Sequence, residues 1–183
     1  MEIILKNVRL AFPNLFDAEE FMGSTTYNCK LFIEEGSEQH KLVMDAIKKE
    51  IALRWPKRAD FMYQELRMDK KAFCYIDGKR VDYSGAEGNW VLTAKRNVKD
   101  GRPLVIDRDK SPIQKTDGKV YSGCYVNAKV EIYTTDGDSK GVRCGLSAIQ
   151  FVKDGDSFGG AKAATDTGFD DLGVDEAAEA DIF

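Results

Sequence analysis

One histidine, His40, stands among 183 residues, and it falls early in a stretch of helical spacing. Its isolation excludes Ser-His-Asp and Cys-His nucleophilic catalysis. The four cysteines, Cys29, Cys74, Cys124 and Cys144, lie far apart with no CxxC pair, which argues against a zinc site of the usual spacing. Neither a GxxxxGK run nor GxGxxG occurs, so no phosphate-cradling nucleotide site is expected. No apolar run approaches the ~20 residues of a membrane-spanning helix, and no membrane association is expected. The opening MEIILKNVRLAF has no basic region ahead of its apolar residues and no small-residue cleavage site. A signal peptide is therefore not expected, and the cytoplasm is the expected compartment. Taken together, these absences predict a protein without cofactor or metal and without enzymatic activity.

Charge is present but unevenly placed. Residues 154–183 hold nine acidic residues against the single Lys162, a net −8, whereas residues 1–153 hold 26 basic and 22 acidic residues, a net +4. A mildly basic body with a strongly acidic tail suits a body that meets a polyanion and a tail that competes for the same surface. The change of composition sets the expected division: a body over 1–153, then a glycine-rich linker and acidic tail over 154–183.

The body is organised around Gly118 to Lys153. Val120, Ser122, Cys124, Val126, Ala128, Val130 and Ile132 share one parity, and Tyr121, Gly123, Tyr125, Asn127, Lys129, Glu131 and Tyr133 the other. Alternate side chains of a strand point to opposite faces, so this pattern predicts a half-buried strand whose outer face carries tyrosine and lysine. Asp136-Gly137 predicts the turn. On the return strand, Val142, Cys144, Leu146, Ala148 and Val152 are expected inside, and Arg143, Ser147, Ile149, Phe151 and Lys153 outside. Rings and cations on an exposed sheet face suit stacking on bases and pairing with phosphates. A solvated face uses the same residue types, so this stretch alone leaves both readings open.

Upstream, Ile3 to Phe12 reads as a strand with Ile4, Val8, Leu10 and Phe12 on one parity and Lys6 interrupting it, ended by a turn at Pro13-Asn14. Thr25 to Glu34 reads as a second strand, with Tyr27, Cys29, Leu31 and Ile33 inside. Ser37 caps a helix whose Val43, Ala46, Ile47 and Ile51 recur at helical spacing, and Pro56 ends it. A shorter helix is predicted over 58–68, so 37–68 forms a helical insertion. A hairpin is expected around Asp77-Gly78, and strands over 90–97 and 104–106. A basic loop, 110–118, should lead into the organising hairpin.

Basic residues gather through this middle region beside Trp90, Tyr121 and Tyr125, which favours nucleic acid as the partner. The candidate binding residues are Tyr121, Tyr125 and Lys129 on the outgoing strand, and Arg143, Phe151 and Lys153 on the return. Lys95, Arg96, Arg102, Arg108 and Lys110 join them from the middle region. Carboxylates at Glu87, Asp100, Asp107 and Asp109 keep a metal-dependent nuclease or resolvase open as an alternative, although turn chemistry and charge balance account for them. The acidic tail is expected to be disordered. Its Asp181, Ile182 and Phe183 form a candidate docking point, which also leaves open an adaptor acting through the tail alone.

Leu5-Lys6-Asn7-Val8-Arg9-Leu10-Ala11-Phe12, Ser122-Gly123, Tyr125-Val126-Asn127-Ala128, Gly141-Val142, Leu146, Gln150-Phe151, Asp154-Gly155 and Phe158-Gly159-Gly160 run in one order along the chain. In that order they resemble the OB-fold single-stranded DNA-binding proteins of tailed phages. The resemblance implies a mainly β protein, a five-stranded, partly open Greek-key barrel carrying the helical insertion. It also implies binding of single-stranded DNA with little sequence preference during phage replication and recombination. Recruitment of a phage or host polymerase or helicase by the tail is implied as well. Duplex binding and a homodimer stay open.

Overall fold

The structure, a computed structural model, describes residues 1–21 and 23–158. The expectations for the acidic tail, Asp181, Ile182 and Phe183 included, lie outside the described residues. The elements in chain order are β1 (Glu2–Phe21), β2 (Ser24–Glu34), α1 (Glu38–Arg54), α2 (Ala59–Met68), β3 (Tyr75–Asp77), β4 (Asn89–Asn97), β5 (Leu104–Ile106), β6 (Tyr125–Thr135) and β7 (Gly141–Lys153). Antiparallel neighbours run β4-β2-β1-β6-β7, and a parallel contact between β4 and β7 at Lys95 and Gly145 closes the ring. The result is a mainly β, closed five-stranded barrel with two helices, and the short β3 and β5 pair outside the ring with β4 and β7.

Inside the ring sit Leu5, Leu10, Leu31, Leu92, Val126, Val130, Ile132 and Leu146, each at most 1% exposed. Each such side chain contributes roughly 1.5–3 kcal/mol on burial. Helix α1 follows the sequence pattern closely. Ser37 accepts a hydrogen bond from the His40 backbone N–H, and Val43, Ala46, Ile47 and Ile51 are the buried positions. That face packs on β1, β2 and β6. All four cysteines are buried and unpaired. Burial pushes the Cys29 and Cys74 thiols up to about 12, so they act as inert apolar side chains.

Two bulges overturn the expected parities. On β1, Leu5 lies opposite Ala128 but Val8 opposite Val126, so Lys6 and Asn7 together face one partner residue. Asn7 takes φ 53 to make room. Ile3 and Leu5 are therefore buried ahead of the bulge, and Ile4 is 54% exposed. On β7, Leu146 pairs with Val130 and Ala148 with Lys129, which leaves Ser147 unpaired. One extra residue sends the following side chains to the opposite face, until a second shift at Val152, between the Val126–Phe151 and Tyr125–Lys153 pairs, turns Lys153 outward again. Ile149 and Phe151, expected outside, are thus buried at 0% and 5% exposure. The strand also passes straight through Pro13-Asn14, where a turn was expected, because its register with β2 shifts there instead of ending. Around Asp77-Gly78 no hairpin forms among the described residues. A short 3-10 turn follows β3, and β3 reaches β4 through a longer loop.

His40 belongs to the packing rather than to chemistry. Its Nδ1 lies 2.8 Å from the buried Tyr75 hydroxyl, and its ring stands 5.2 Å from Trp90. Burial pushes the imidazole below its ordinary 6.5, against a smaller upward pull from Glu35. The folded state then holds fewer protons at this ring than the unfolded chain does. The stability it supplies is complete above pH ~6.5 and is lost as pH falls through the folded pKa. Urea midpoints of the wild type should therefore decline between pH ~7.5 and ~5 more steeply than those of His40→Gln. Parallel declines would overturn this reading.

Candidate nucleic-acid interface

Arg9 pairs with Phe32 across β1 and β2 and with Tyr125 across β1 and β6, while Tyr125 pairs with Lys153 across β6 and β7. Directly paired residues share a face. The neighbours of Arg9, Phe32 and Tyr125 in sequence are barrel core, so this row points outward. Two residues further along, Ala11, Lys30 and Thr93 form a second row, and Lys30 Nζ lies 3.4 Å from Thr93 Oγ1. Lys95, opposite Asn28, continues the same face and is exposed.

Further aromatic rings, Phe12 of β1 with Tyr83 and Phe158 from outside the strands, complete it. Phe12 takes φ 48, costly for a bulky residue, and its 40%-exposed ring stands 5.3 Å from Tyr83 and 6.5 Å from Phe32. Phe158 lies over Phe32 at 5.2 Å. Beneath these rings Ala11, Phe32, Ala86 and Val91 form a small second core on the outside of the barrel. Cations sit on the rings: Arg9 at 4.2 Å from Phe158 and 5.4 Å from Tyr125, Lys153 at 4.7 Å from Tyr125, and Lys30 at 5.0 Å from Tyr83. All fall within the ~6 Å reach of cation–π attraction. The face thus alternates π surface with positive charge, the requirement for base stacking beside a phosphate chain.

Of the residues expected from sequence, the structure brings Tyr125, Lys153 and Lys95 to this face. Phe151 is withdrawn into the core by the Ser147 bulge. Arg96 donates to the backbone carbonyls of Gly101 and Asp100 at 2.9 and 2.7 Å and so holds the β4–β5 turn. Arg143 likewise donates to the Lys71 and Ser139 carbonyls. Lys129 pairs with Glu2 at 3.0 Å, two positions along β6 from Asn127. Arg102 leans on Phe16 at 5.7 Å, and Arg108 and Lys110 lie on the exposed loop after β5.

Tyr121, expected as a stacking ring on a strand, precedes β6 and packs on the main core. Its hydroxyl meets Asp154 Oδ1 at 3.0 Å and the Gly155 carbonyl at 2.9 Å, and the Gly155 N–H donates back to it at 3.0 Å. It is a clasp that seats residues 154–156. Residues 154–158 accordingly pack on the body beyond Lys153. Gly123 fits beneath this segment with φ 117, and a Cβ there would meet the Asp156 carbonyl oxygen at 2.1 Å. Tyr121→Phe should cost about 1–2 kcal/mol by removing the clasp and stranding the Gly155 N–H. Urea unfolding measures this; a loss of DNA affinity at unchanged stability would return Tyr121 to the interface.

Sequence reasoning missed Arg9, Phe12, Lys30, Phe32, Tyr83 and Phe158. The β2 parity that places Leu31 and Ile33 inside also places Lys30 and Phe32 outside, so those two were within reach. Phe158 and Tyr83 carry no such signal, because loop packing alone brings them here.

A closed five-stranded barrel with this connectivity is an OB-fold, the class whose second and third strands bind oligonucleotides on their outer face. Those strands are β2 and β4 here. The chain belongs to the family described as Enterobacter phage Enc34, ssDNA-binding protein, whose model matches residues 1–183. The protein p50 of Acyrthosiphon pisum secondary endosymbiont phage 1 is 39% identical over 183 residues, 98% of either chain. Among solved structures, the single-stranded DNA-binding protein from bacteriophage Enc34 in complex with ssDNA shares the fold at TM-score 0.66 and 22% identity, over 86% of this chain and 89% of that one. The single-stranded DNA-binding protein gp2.5 of bacteriophage T7 aligns at TM-score 0.58 and 11% identity, over 85% and 93%.

Proposed function

We propose that this protein binds single-stranded DNA across the outer face of β1, β2, β4 and the start of β6, protecting and organising the strand during phage DNA replication and recombination. The observation that carries the reading is the row Lys153, Tyr125, Arg9 and Phe32, a continuous alternation of rings and cations on the OB face. Stacking accepts every base, so the track tolerates most sequences. The test is fluorescence anisotropy with a labelled oligonucleotide, with and without magnesium. Binding without cleavage supports the reading, cleavage supports the nuclease alternative, and no binding supports an adaptor. Against a nuclease, Asp107 pairs with Lys119, which holds its carboxyl below the usual range, and Asp109 is bound by Ser111. Among the described residues, no three histidine, cysteine or acidic side chains converge on a metal-sized site.

The acidic segment 163–183 competes with DNA for this face and recruits a polymerase or helicase through Asp181, Ile182 and Phe183. In support, Phe158, five residues before the segment begins, is seated on Arg9 and Phe32, which tethers the segment to the interface. A Phe183→Ala protein should lose capture of its replication partner while its DNA affinity stays unchanged. Full capture would remove the docking role.

A further inference from the structure

Beside the ring-and-cation row, where the β1 bulge, the end of β2 and the start of β4 meet, lies a cleft of about 490 Å³. That falls within the roughly 300–1,000 Å³ of small-molecule sites. Tyr125 and Arg9 belong both to the cleft wall and to the row, so a strand lying on the row passes its mouth. Glu34, Glu87 and Asn89 line the cleft as well.

The chemistry of these lining residues is lopsided. The Asn89 amide nitrogen donates to the Gly85 and Glu87 carbonyls at 3.0 and 3.3 Å, which leaves its oxygen as the group to offer. Neither the Glu34 nor the Glu87 carboxylate is engaged in an ion pair or side-chain hydrogen bond among the described residues. Gln39 supplies a donor nitrogen, since its oxygen accepts the Lys6 N–H at 2.8 Å. Asn7 and Ser37 can donate as well, but the Glu34 and Glu87 carboxylates only accept. A cleft with these carboxylates next to a cationic track calls for an uncharged planar ligand with N–H donors on its edge, attached to a phosphate.

We propose that this cleft receives one base of the bound strand, turned out of the stack, and selects a base with an amino group, guanine above all. Guanine offers N1–H and N2–H₂ side by side to one carboxylate; cytosine and adenine each offer an amino group. Thymine presents two carbonyl oxygens flanking its single N–H, and these meet the carboxylates unfavourably. Arg9, held by the Gly123 and Asp156 carbonyls, lies at the mouth where the adjoining phosphate passes. The proposal rests on the single-strand reading and adds one selective position to an otherwise tolerant track.

The test compares a 12-mer of thymidine with the same oligomer carrying one central dG, using the full chain in anisotropy at about 150 mM salt. The dG oligomer is expected to bind about tenfold more tightly, the scale of one well-read base edge. Replacing dG by deoxyinosine, which keeps N1–H and loses the 2-amino group, should give an intermediate value. Glu34→Gln and Glu87→Gln, both surface substitutions, should shrink the dG:dT ratio severalfold while thymidine-oligomer affinity holds or rises. The ratio isolates the base edge, because a general change in charge moves both oligomers alike. Equal affinities for the two oligomers in the wild type, or a ratio preserved in the Glu34→Gln/Glu87→Gln double variant, would overturn the pocket and leave the track intact. Failure to bind either oligomer would overturn the single-strand reading itself.

Discussion

Changing Lys30, Lys95 and Lys153 together to glutamine is expected to lower single-stranded DNA affinity roughly a hundredfold at about 50 mM salt, while the melting temperature stays nearly unchanged. The three ammonium groups project from β2, β4 and β7 onto one face, and none of them is paired with a carboxylate among the described residues. Each phosphate they neutralise releases counterions, with a slope of about 0.7 per contact for single strands. Removing three contacts should reduce the salt slope by about two. The wild type should then lose roughly twentyfold more affinity than the variant between ~50 and ~200 mM salt. Titrations at three or four salt concentrations give affinity and slope together. Variant and wild-type slopes that coincide would show that the phosphates lie elsewhere on the barrel.

Deletion of residues 163–183 should act in the opposite direction and tighten DNA binding about tenfold at low ionic strength. The segment carries seven acidic residues and no basic one. It follows Phe158 on the interface after only a few residues, so its effective concentration at the cationic row is of order millimolar. A pairing as weak as ~0.1 mM, held at ~1 mM, would already occlude the face about tenfold. Salt weakens both the self-contact and the DNA contact, so the gain from deletion should shrink above ~0.15 M, where screening acts over about 8 Å. Phe183→Ala should leave this gain unchanged, since it removes no charge. A truncated protein that binds no more tightly at low salt would exclude self-competition.

Much of the architecture can be read locally. Helix α1 combines a serine cap, four apolar residues at helical spacing and a downstream proline within one short window, and each of these acts through nearby backbone. The cores of β2 and β6 are equally plain, since strict alternation over seven or more residues admits one face assignment. The bulges at Lys6-Asn7 and Ser147 are different. A bulge is a mismatch between two strands, and neither strand's own pattern states where its partner's hydrogen bonds fall. Ile4, Ile149 and Phe151 were therefore assigned to the wrong side, although each belongs to an easily recognised strand.

The interface divides the same way. Sequence by itself determined that rings and cations would project from a β-rich body, and that acidic charge would be confined to its C-terminal segment. Alternation and composition are properties of single segments, and they survive whatever those segments pair with. Only the tertiary structure decided which projecting side chains meet. Lys129, four residues along β6 and paired with Glu2, and Arg143, held by the Lys71 and Ser139 carbonyls, stay apart from Tyr125 although they share its hairpin. Arg9, Lys30, Phe32 and Phe158, drawn from β1, β2 and the chain beyond β7, converge on it because antiparallel pairing and the closing β4–β7 contact place them on one arc of the ring.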